Sequence, residues 1–361
     1  MAIQVALVGT GLVGSAILSQ LALPTIAKHA VLVSVSNSKR TVFSPNGISL
    51  PLAPDFVQTE GTVLPLSQLV SQLHDIKAHA TKTVLIDSTA SSAVANAYPE
   101  ILRAGISIIT PNKLALSSSS ALYNSIQSAL EADPSIRLLH ESTVGAGLPI
   151  ISTLNDLVKT GDKVKRIEGV FSGTLSYIFN NFSPAVLHDD PAKFSDIVGQ
   201  AKRLGYTEPN PHSDLSGSDV ARKLTILARL LPETPIPLPE GYLSVPTSSL
   251  SPEGLETLDD GDEYVRQLKE SDAEFEEMRR RAEEMGQVLR YVGVVDAEKC
   301  TVHASLETYP VTHPFATSLG GSDNIIAFHT ERYSRPLIIQ GAGAGAAVTA
   351  MGVMSDLLKL V

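Results

Sequence analysis

A predicted helix within residues 214–231 carries two side chains that could take part in proton transfer. At about 100° per residue, with Asp219 set at 0°, Lys223 falls at about 40° and Ile226 at about 340°. Basic residues such as Arg222 fall on the opposite arc. Asp219 and Lys223 therefore project from the apolar face of the helix, one turn apart, rather than from the solvated face.

Charges in such positions either form a structural ion pair or line a cleft, because burying an unpaired charge is costly. A poorly solvated lysine can give a proton to an alkoxide near neutral pH, and a neighbouring carboxylate keeps it charged. Glu208 and Asp214 lie in the turn-rich loop just before the helix. These carboxylates favour the cleft, where they could hold the ammonium group of an amino-acid substrate.

Near the N-terminus, Gly9, Gly11 and Gly14 form a G-x-G-x-x-G pattern, with Leu12 and Val13 inside it. The pattern follows an apolar strand and opens a helix. The first glycine permits a tight turn, the second lets the backbone approach a pyrophosphate, and the third lets helix and strand pack closely. The helix N-terminus adds N–H groups and a partial positive charge. We predict that these five residues contact a dinucleotide; a plain glycine turn is the alternative.

The residues after the second predicted strand indicate which nicotinamide cofactor would bind. An acidic residue there would hold the ribose 2′-hydroxyl of NAD, whereas basic residues would accept the 2′-phosphate of NADP. The segment 36–40 has no carboxylate and ends in Lys39 and Arg40. This favours NADP(H), or the use of NAD(H) as well. The alternative is that Lys39 and Arg40 are an ordinary exposed pair with no role in cofactor binding.

The composition of the 361-residue chain limits the classes of protein that it could be. With 43% hydrophobic and 18% charged residues, the chain is long enough for two folded domains. The net charge of −10 gives no basic field for nucleic acid or an anionic membrane, and no apolar run is long enough to cross a bilayer. Cys300 is the single cysteine, which excludes an intrachain disulfide and predicts a reducing, cytoplasmic location.

Apolar patterns predict an α/β fold whose first domain, residues 1–148, is of the Rossmann dinucleotide-binding type. Short β-branched runs alternate there with helical patterns, as a parallel sheet with crossover helices requires. The strands are predicted at 3–8, 30–36, 83–87, 107–110 and 136–140.

The second domain is predicted at 149–336, as an α+β catalytic and dimerisation domain with a mixed sheet. It begins with a helix at 149–160, and its strands are predicted at 166–171, 288–294, 301–307 and 324–330. A further strand at 337–340 and a C-terminal helix are expected to return to the first domain, as residues 337–361. The proline-rich and acidic stretch at about 232–286 is interpreted as a loop insertion with a surface helix, or as solvated decoration.

Six segments, found in the same order along the chain, resemble homoserine dehydrogenases and specifically the monofunctional fungal form. They cover Thr110-Pro-Asn-Lys113, 140–149, 168–178, 204–209, Asp219-Val-Ala-Arg-Lys223 and 341–345. The resemblance implies a homodimer that interconverts L-homoserine and L-aspartate 4-semialdehyde with NAD(P), on the route to threonine, isoleucine and methionine. No kinase module or regulatory tail is expected.

The resemblance also implies roles for individual residues. Lys223 matches the catalytic lysine, with Asp219 beside it, and the substrate-site carboxylates match Glu208, Asp214 and Asp219. Lys113 matches a lysine near both nicotinamide and substrate. Thr89 and Gly345 match cofactor contacts. The residues that match ligands of a sodium-like ion are Glu141, Val144, Ala146 and Leu148.

Each of these carried-over roles has a structural alternative. Lys113 could be a solvated helix start, Glu141 an exposed acid at a strand end, and the glycines at 341–345 could only permit close helix packing. A hard cation bound by carbonyls leaves no signature in composition, so the metal rests on the resemblance alone.

Two other functions compete with this prediction. The first is a dehydrogenase for another small carboxylated aldehyde, which an aldehyde without an amino group would reveal, because Glu208 and Asp214 would have no partner in it. The second is a non-catalytic Rossmann protein that senses the cofactor, which would bind NADPH tightly and turn nothing over. The presence of Lys223 as a proton donor argues against the sensor.

Overall fold

The computed structural model describes residues 2–53, 55–77, 82–186, 191–231 and 235–361, and these form two compact units. The first unit comprises Met1–Ile151 and Gly345–Val361, and the second comprises Ser152–Ala344. Within the described ranges, no helix combines the length and the apolar character that crossing a bilayer requires.

The first unit is built on a six-stranded sheet in the order β3-β2-β1-β4-β5-β6. All neighbouring strands are parallel except β2 and β3, which are antiparallel. Apolar clusters line both faces of this sheet, which is why its central strands are almost continuously apolar. The strands are β1 (Ile3–Val8), β2 (Ala30–Ser36), β3 (Thr41–Phe43), β4 (Thr83–Asp87), β5 (Ser107–Ile109) and β6 (Leu138–Leu139).

Helices follow most strands of this unit and cover the sheet. They are α1 (Leu12–Leu21), α2 (Pro24–Ala27), α3 (Phe56–Glu60), α4 (Leu66–Ile76), α5 (Ser92–Asn96), α6 (Tyr98–Arg103), α7 (Leu114–Ser117) and α8 (Ser120–Ala132). The C-terminal helix of the chain, Ala346–Leu358, packs beside α1 and buries Val353 and Leu357 in the same cluster as Ile17.

The second unit contains a five-stranded sheet in the order β11-β10-β7-β8-β9. Each neighbouring pair is antiparallel, so the predicted mixed sheet is wrong for these strands. The apolar pattern of a strand does not reveal the direction of its neighbour. In this sheet, short connections join β8 to β9 and β10 to β11, and such hairpins make the paired strands antiparallel. The strands are β7 (Val164–Val170), β8 (Gln287–Asp296), β9 (Thr301–Pro310), β10 (Asp323–Thr330) and β11 (Leu337–Ala342).

Helices cover one face of this sheet. At its centre, a Cβ on Gly293 of β8 would lie 2.7 Å from Leu224 and 3.0 Å from Phe171, so a glycine lets helix and strand approach closely. In chain order the helices are α9 (Ile150–Lys159), α10 (Gly173–Phe182), α11 (Phe194–Arg203), α12 (His212–Leu215), α13 (Ser218–Arg229), α14 (Gly261–Leu268), α15 (Asp272–Glu284), α16 (Pro314–Thr317) and, in the first unit, α17 (Ala346–Leu358).

Two predicted boundaries need correction. The returning segment was expected to begin at residue 337, but β11 pairs along its whole length with β10, so residues 337–344 belong to the second unit. The stretch 232–286, whose first three residues lie outside the described residues, is not solvated decoration. Its described part buries Leu250, Tyr264 and Phe275, so it contributes to the core of the unit.

Candidate active site

The glycine turn between β1 and α1 has the geometry that its three glycines predict. Gly9 has a φ of 102°, a left-handed value, and a Cβ there would lie 2.9 Å from Thr89 Cγ2. A Cβ on Gly14 would overlap the carbonyl oxygen of Gly9. A Cβ on Gly11 would have no atom within 4 Å, so this position faces open space. The turn is thus tightly packed at Gly9 and Gly14, and at Gly11 it is open to a ligand.

This open side is part of a cavity of about 820 Å³ in the first unit. Its walls include the glycine turn, Ser36 and Asn37 after β2, and Ser88 and Thr89 after β4. The carboxyl ends of parallel strands are where open α/β sheets bind dinucleotides. A cradle that a side chain at Gly11 would enter therefore fits a dinucleotide. Leu12 and Val13 are not among the lining residues, and the Leu12 side chain is 85% exposed.

Lys39 and Arg40 do not line this cavity. The Arg40 guanidinium donates to the carbonyl oxygen of Gly61 at 2.7 Å, while Lys39 is exposed. The side-chain oxygen of Asn37 accepts from the backbone N–H groups of both basic residues at 2.8 Å, which fixes the turn. Asn37 and Ser38 are the residues of this turn that reach the cavity wall.

A fully buried carboxylate that the sequence analysis did not single out, Asp87, organises the cavity wall. Its Oδ1 accepts from the N–H and the hydroxyl of Thr89 at 2.9 and 2.7 Å. Its Oδ2 accepts from the Tyr98 hydroxyl at 2.7 Å and from Asn112 Nδ2 at 3.0 Å. Burial and this carboxylate raise the pKa of Tyr98 well above its ordinary value. Asp87 thereby joins the loop that carries Thr89 to the loop that carries Lys113, which is half-buried at the start of α7.

In the second unit, Lys223 is 7% exposed and lies on the inner face of α13. Its Nζ lies 2.8 Å from Asp219 Oδ2 and donates to the carbonyl oxygen of Phe171 at 2.6 Å. Helix α13 follows Gly217, which has a φ of 72° and where a Cβ would overlap the Tyr291 hydroxyl. The structure therefore brings the two predicted residues together as a poorly solvated ammonium beside a half-exposed carboxylate.

Asp214 lies on the short helix α12, at the end of the acidic loop (residues 205–214), and is tied to the predicted substrate carboxylate Glu208. Its Oδ2 accepts from the Glu208 N–H at 2.9 Å, and its Oδ1 accepts from the Thr174 hydroxyl at 2.8 Å. Burial raises the pKa of Asp214 to about 6, and the nearby charges of Glu208 and Asp219 add to this rise. Thr174, at the start of α10, was missed, because only the fold brings it to this loop.

The stretch interpreted as an insertion holds this acidic loop in place. Ser251 Oγ accepts from the Tyr264 hydroxyl at 2.7 Å and lies 3.0 Å from His212 Nδ1 on α12. The backbone N–H of Leu250 donates to the carbonyl oxygen of Leu215 at 2.8 Å. The loop that carries Glu208 and Asp214 is thus anchored from both sides.

The predicted cation ligands lie in the first unit, in the chain before α9. Glu141 is 4% exposed, so the interpretation as an exposed strand-end acid is wrong. Its Oε1 accepts from the Ile151 N–H at 2.8 Å, and its Oε2 lies 3.2 Å from Lys359 Nζ. Gly145 and Ala146 both have positive φ, 76° and 55°, which turns the chain sharply between Val144 and Leu148. In the described residues, no cluster of three or more His, Cys, Asp or Glu could hold a metal.

The two glycines that end the 341–345 segment have different surroundings. A Cβ on Gly343 would overlap the side chain of Asn324, so this position is needed for packing. Gly345 begins α17 with a φ of 124°, and its Cβ would meet only Val348 at 3.4 Å. Near that helix start, Gln20 Nε2 of α1 donates to the carbonyl oxygen of Ala347 at 2.8 Å. Gly345 thus lies where α17 meets the helix that follows the glycine turn.

Two protein-family models match consecutive parts of the chain. A model described as "Homoserine dehydrogenase, NAD binding domain" matches residues 9–138, and one described as "Homoserine dehydrogenase" matches residues 149–358.

Individual relatives match over almost the whole chain. The homoserine dehydrogenase of Saccharomyces cerevisiae is 42% identical, with 99% of this chain and 98% of that protein covered. That of Paracoccidioides brasiliensis is 46% identical with the same coverage. A bifunctional aspartokinase/homoserine dehydrogenase of Zea mays is 44% identical, but this chain covers 38% of its length.

Solved structures give the same result for the fold. A Candida auris protein described as of unknown function has a TM-score of 0.89 and 44% identity, covering 99% of this chain and 98% of that one. A hyperthermophilic archaeal homoserine dehydrogenase in complex with NADPH has a TM-score of 0.70 at 20% identity, covering 100% and 98%. The latter likeness bears on the fold alone.

Proposed function

Because the chain belongs to the homoserine dehydrogenase family, we propose that Lys223 is the proton donor of the reaction that it catalyses. Members of this family are NAD(P)-dependent oxidoreductases that interconvert L-aspartate 4-semialdehyde and L-homoserine. The observation that supports this role is the burial of the Lys223 ammonium between Asp219 Oδ2 and the Phe171 carbonyl oxygen. Asp219 keeps the ammonium charged in a site with little water.

The reaction divides between the cofactor and the side chains. Reduced nicotinamide, when bound, supplies the hydride to the aldehyde carbon. The carbonyl oxygen then needs one proton, and Lys223 gives it from Nζ as the alkoxide forms. In the reverse direction the neutral amine takes the proton of the homoserine hydroxyl. Asp219, one helical turn away, stabilises the protonated state and holds Nζ in place.

We propose that Glu208 and Asp214 hold the α-ammonium group of the substrate. Both belong to the anchored loop before α13, and each would be an acceptor for an ammonium N–H. Consumption of NADPH on addition of aspartate semialdehyde tests the reaction. An analogous aldehyde without the amino group tests the two carboxylates, and an equal kcat/KM for both aldehydes would contradict their role.

The raised pKa of Asp214 predicts a pH dependence of substrate binding. Above about pH 6 its carboxyl group is ionised and attracts the ammonium, and below that pH it becomes neutral. We expect KM for aspartate semialdehyde to rise by roughly tenfold between pH 7 and pH 5. Steady-state kinetics of the wild type and of Asp214→Asn measure this. The variant should have a high KM that changes little with pH, and a parallel pH dependence in both proteins would contradict the assignment.

For the cofactor, we propose that NADPH is preferred and that Lys39 and Arg40 contribute to the preference. The turn that carries them borders the cavity through Asn37 and Ser38 and has no carboxylate to hold a ribose diol. Gly9, Gly11 and Gly14 would hold the pyrophosphate, and Thr89, Lys113 and Gly345 would contact the cofactor further along. Titration of the apoenzyme with NADPH and with NADH gives the ratio of the two Kd values.

For the cation, we propose that a sodium ion is held by Glu141 and by the backbone carbonyls of Val144, Ala146 and Leu148. The proposal rests on the family resemblance and on the chemistry of these donors, since carbonyl oxygens are hard ligands that suit a sodium ion. We expect the melting temperature of the apoenzyme to be a few degrees higher in sodium chloride than in choline chloride of equal ionic strength. Equal melting temperatures in the two salts would argue against the ion.

We also propose a metabolic role, an oligomeric state and a cellular location for the enzyme. The enzyme would act in the synthesis of threonine, isoleucine and methionine, which consume homoserine. It would work as a homodimer, as the family resemblance implies. A reducing compartment such as the cytoplasm would keep the exposed thiol of its single cysteine, Cys300, in the free form. Light scattering at working concentration measures the oligomeric state.

A further inference from the structure

Asn324, near the start of β10, is a fully buried asparagine whose side chain is half satisfied. Its Nδ2 donates to the carbonyl oxygen of Phe171 at 3.0 Å. Its Oδ1 has no hydrogen-bond partner within the described part of the chain. A buried oxygen without a hydrogen-bond partner is unfavourable for folding. Such a group calls for an explanation other than packing.

Asn324 and Lys223 donate hydrogen bonds to the same backbone oxygen. The Phe171 carbonyl accepts from Lys223 Nζ at 2.6 Å and from Asn324 Nδ2 at 3.0 Å, and a carbonyl oxygen has two lone pairs for this purpose. Phe171 lies directly after β7, and the next residue, Ser172, caps α10. One backbone oxygen at a strand-to-helix corner therefore connects the ammonium of α13 to the carboxamide of β10.

The carboxamide has little freedom to turn away from this oxygen. A Cβ on Gly343 would overlap its Cγ, Oδ1 and Nδ2, so the amide lies flat against the backbone of that glycine. The strand pairing of Asn324 with Gly341 holds β11 at this position. The amide is clamped between a glycine backbone on one side and the Phe171 carbonyl on the other.

We propose that Asn324 is a positioning residue for Lys223, acting through the Phe171 carbonyl oxygen. The inference rests on the proposed role of Lys223 as proton donor. The neutral amide fixes the acceptor of the ammonium without adding a charge. An aspartate of the same shape would replace the donating amide by a carboxylate, which cannot donate to the Phe171 carbonyl and adds a negative charge near the ammonium. An alanine would remove the donor without adding a charge.

The other charged groups around Lys223 are unchanged in such variants. Asp219 lies on the same helix, and Asp214 and Glu208 lie in the loop before it and interact electrostatically with one another. On β8, the Tyr291 hydroxyl lies beside Gly217, the residue before α13, and donates to the Ser248 carbonyl oxygen at 2.8 Å. A shift in the pH profile that appears only on substitution of Asn324 therefore reports on Asn324.

The experiment compares Asn324→Asp and Asn324→Ala with a matched pair at Asn180. Asn180 is half-buried on α10, and its Oδ1 also has no partner in the described chain, while its Nδ2 donates to Ser176 Oγ and to the Gly321 carbonyl oxygen rather than to Phe171. We expect Asn324→Asp to move the alkaline limb of the kcat profile upward by about one pH unit. We expect Asn324→Ala to lower kcat about tenfold while KM for aspartate semialdehyde and Kd for NADPH stay within about twofold.

The outcomes separate this inference from the proposed function. Lys223→Met is measured in parallel, and full turnover in that variant would overturn the proton-donor role itself. If Lys223→Met is inactive while the Asn324 variants match those of Asn180, the positioning role alone is overturned. If Asn324→Asp does not fold, the division between kcat and KM in Asn324→Ala decides, and equal changes in both would overturn the inference.

Discussion

Replacing Lys223 with methionine is expected to lower kcat for aspartate semialdehyde by about 10²–10⁴-fold, which is the usual contribution of a general acid. Methionine keeps most of the apolar stem and removes the ammonium that lies between Asp219 and the Phe171 carbonyl. Stopped-flow or steady-state kinetics, with Kd for NADPH measured separately, would show the loss in the chemical step. The cofactor affinity should not change.

The control for this variant is Lys299→Met, which removes an exposed lysine of the same unit that pairs with Asp296. The alternative function of Lys223, a structural ion pair, makes a different prediction. In that case Lys223→Met and Asp219→Asn would lower the melting temperature by similar amounts and would leave kcat within about tenfold of the wild type in the folded fraction. Turnover near the wild-type rate in a well-folded Lys223→Met protein would refute the catalytic assignment.

The second large effect is expected at the glycine turn, where two neighbouring glycines should respond differently to alanine. The Cβ of Gly11→Ala would meet no atom within 4 Å, so the unliganded protein should keep its stability. The added methyl group would occupy the space through which the backbone approaches the pyrophosphate, and Kd for NADPH should rise by at least about 30-fold. Isothermal titration calorimetry and thermal unfolding measure the two quantities.

Gly14→Ala is the matched comparison. Its Cβ would overlap the carbonyl oxygen of Gly9, so the turn itself must move and the free energy of unfolding should fall by about 1–3 kcal/mol. A Gly11→Ala protein that bound NADPH as tightly as the wild type would contradict the assignment of this turn to the cofactor. A Gly11→Ala protein that lost stability as Gly14→Ala does would instead point to a plain structural turn.

The central strands could be predicted from the sequence to the residue. The observed ends of β1, β2 and β4 coincide with the predicted ones, because each is a mostly apolar, β-branched run followed by glycine or polar residues. The strand predicted at 136–140 is reduced to the two residues of β6, since an edge strand is limited by its neighbour, the short β5. Sequence patterns locate a strand well when burial on both faces fixes it, and poorly at an edge.

In the candidate site, contacts between residues close in sequence could be predicted, and contacts between distant residues could not. Asp219 and Lys223 were predicted to meet because four residues along a helix is a fixed distance. Thr174 and Asn324 could not be identified, because nothing along the chain signals that a strand-to-helix corner meets the acidic loop or the lysine. The roles of Lys39 and Arg40 remain predictions, since the structure ties Arg40 to Gly61 and leaves both outside the cavity lining.

The first unit is completed by residues that the ribosome makes after the whole of the second unit. Helix α17 fills the apolar surface beside α1, yet its segment, from Gly345 onward, is synthesised after all of Ser152–Ala344. At about 5–20 residues per second the interval is roughly 10–40 s. During this interval α17 is not yet available to cover Ile17 and Leu21, so these side chains are exposed. We expect a chaperone to bind the nascent first unit at this stage.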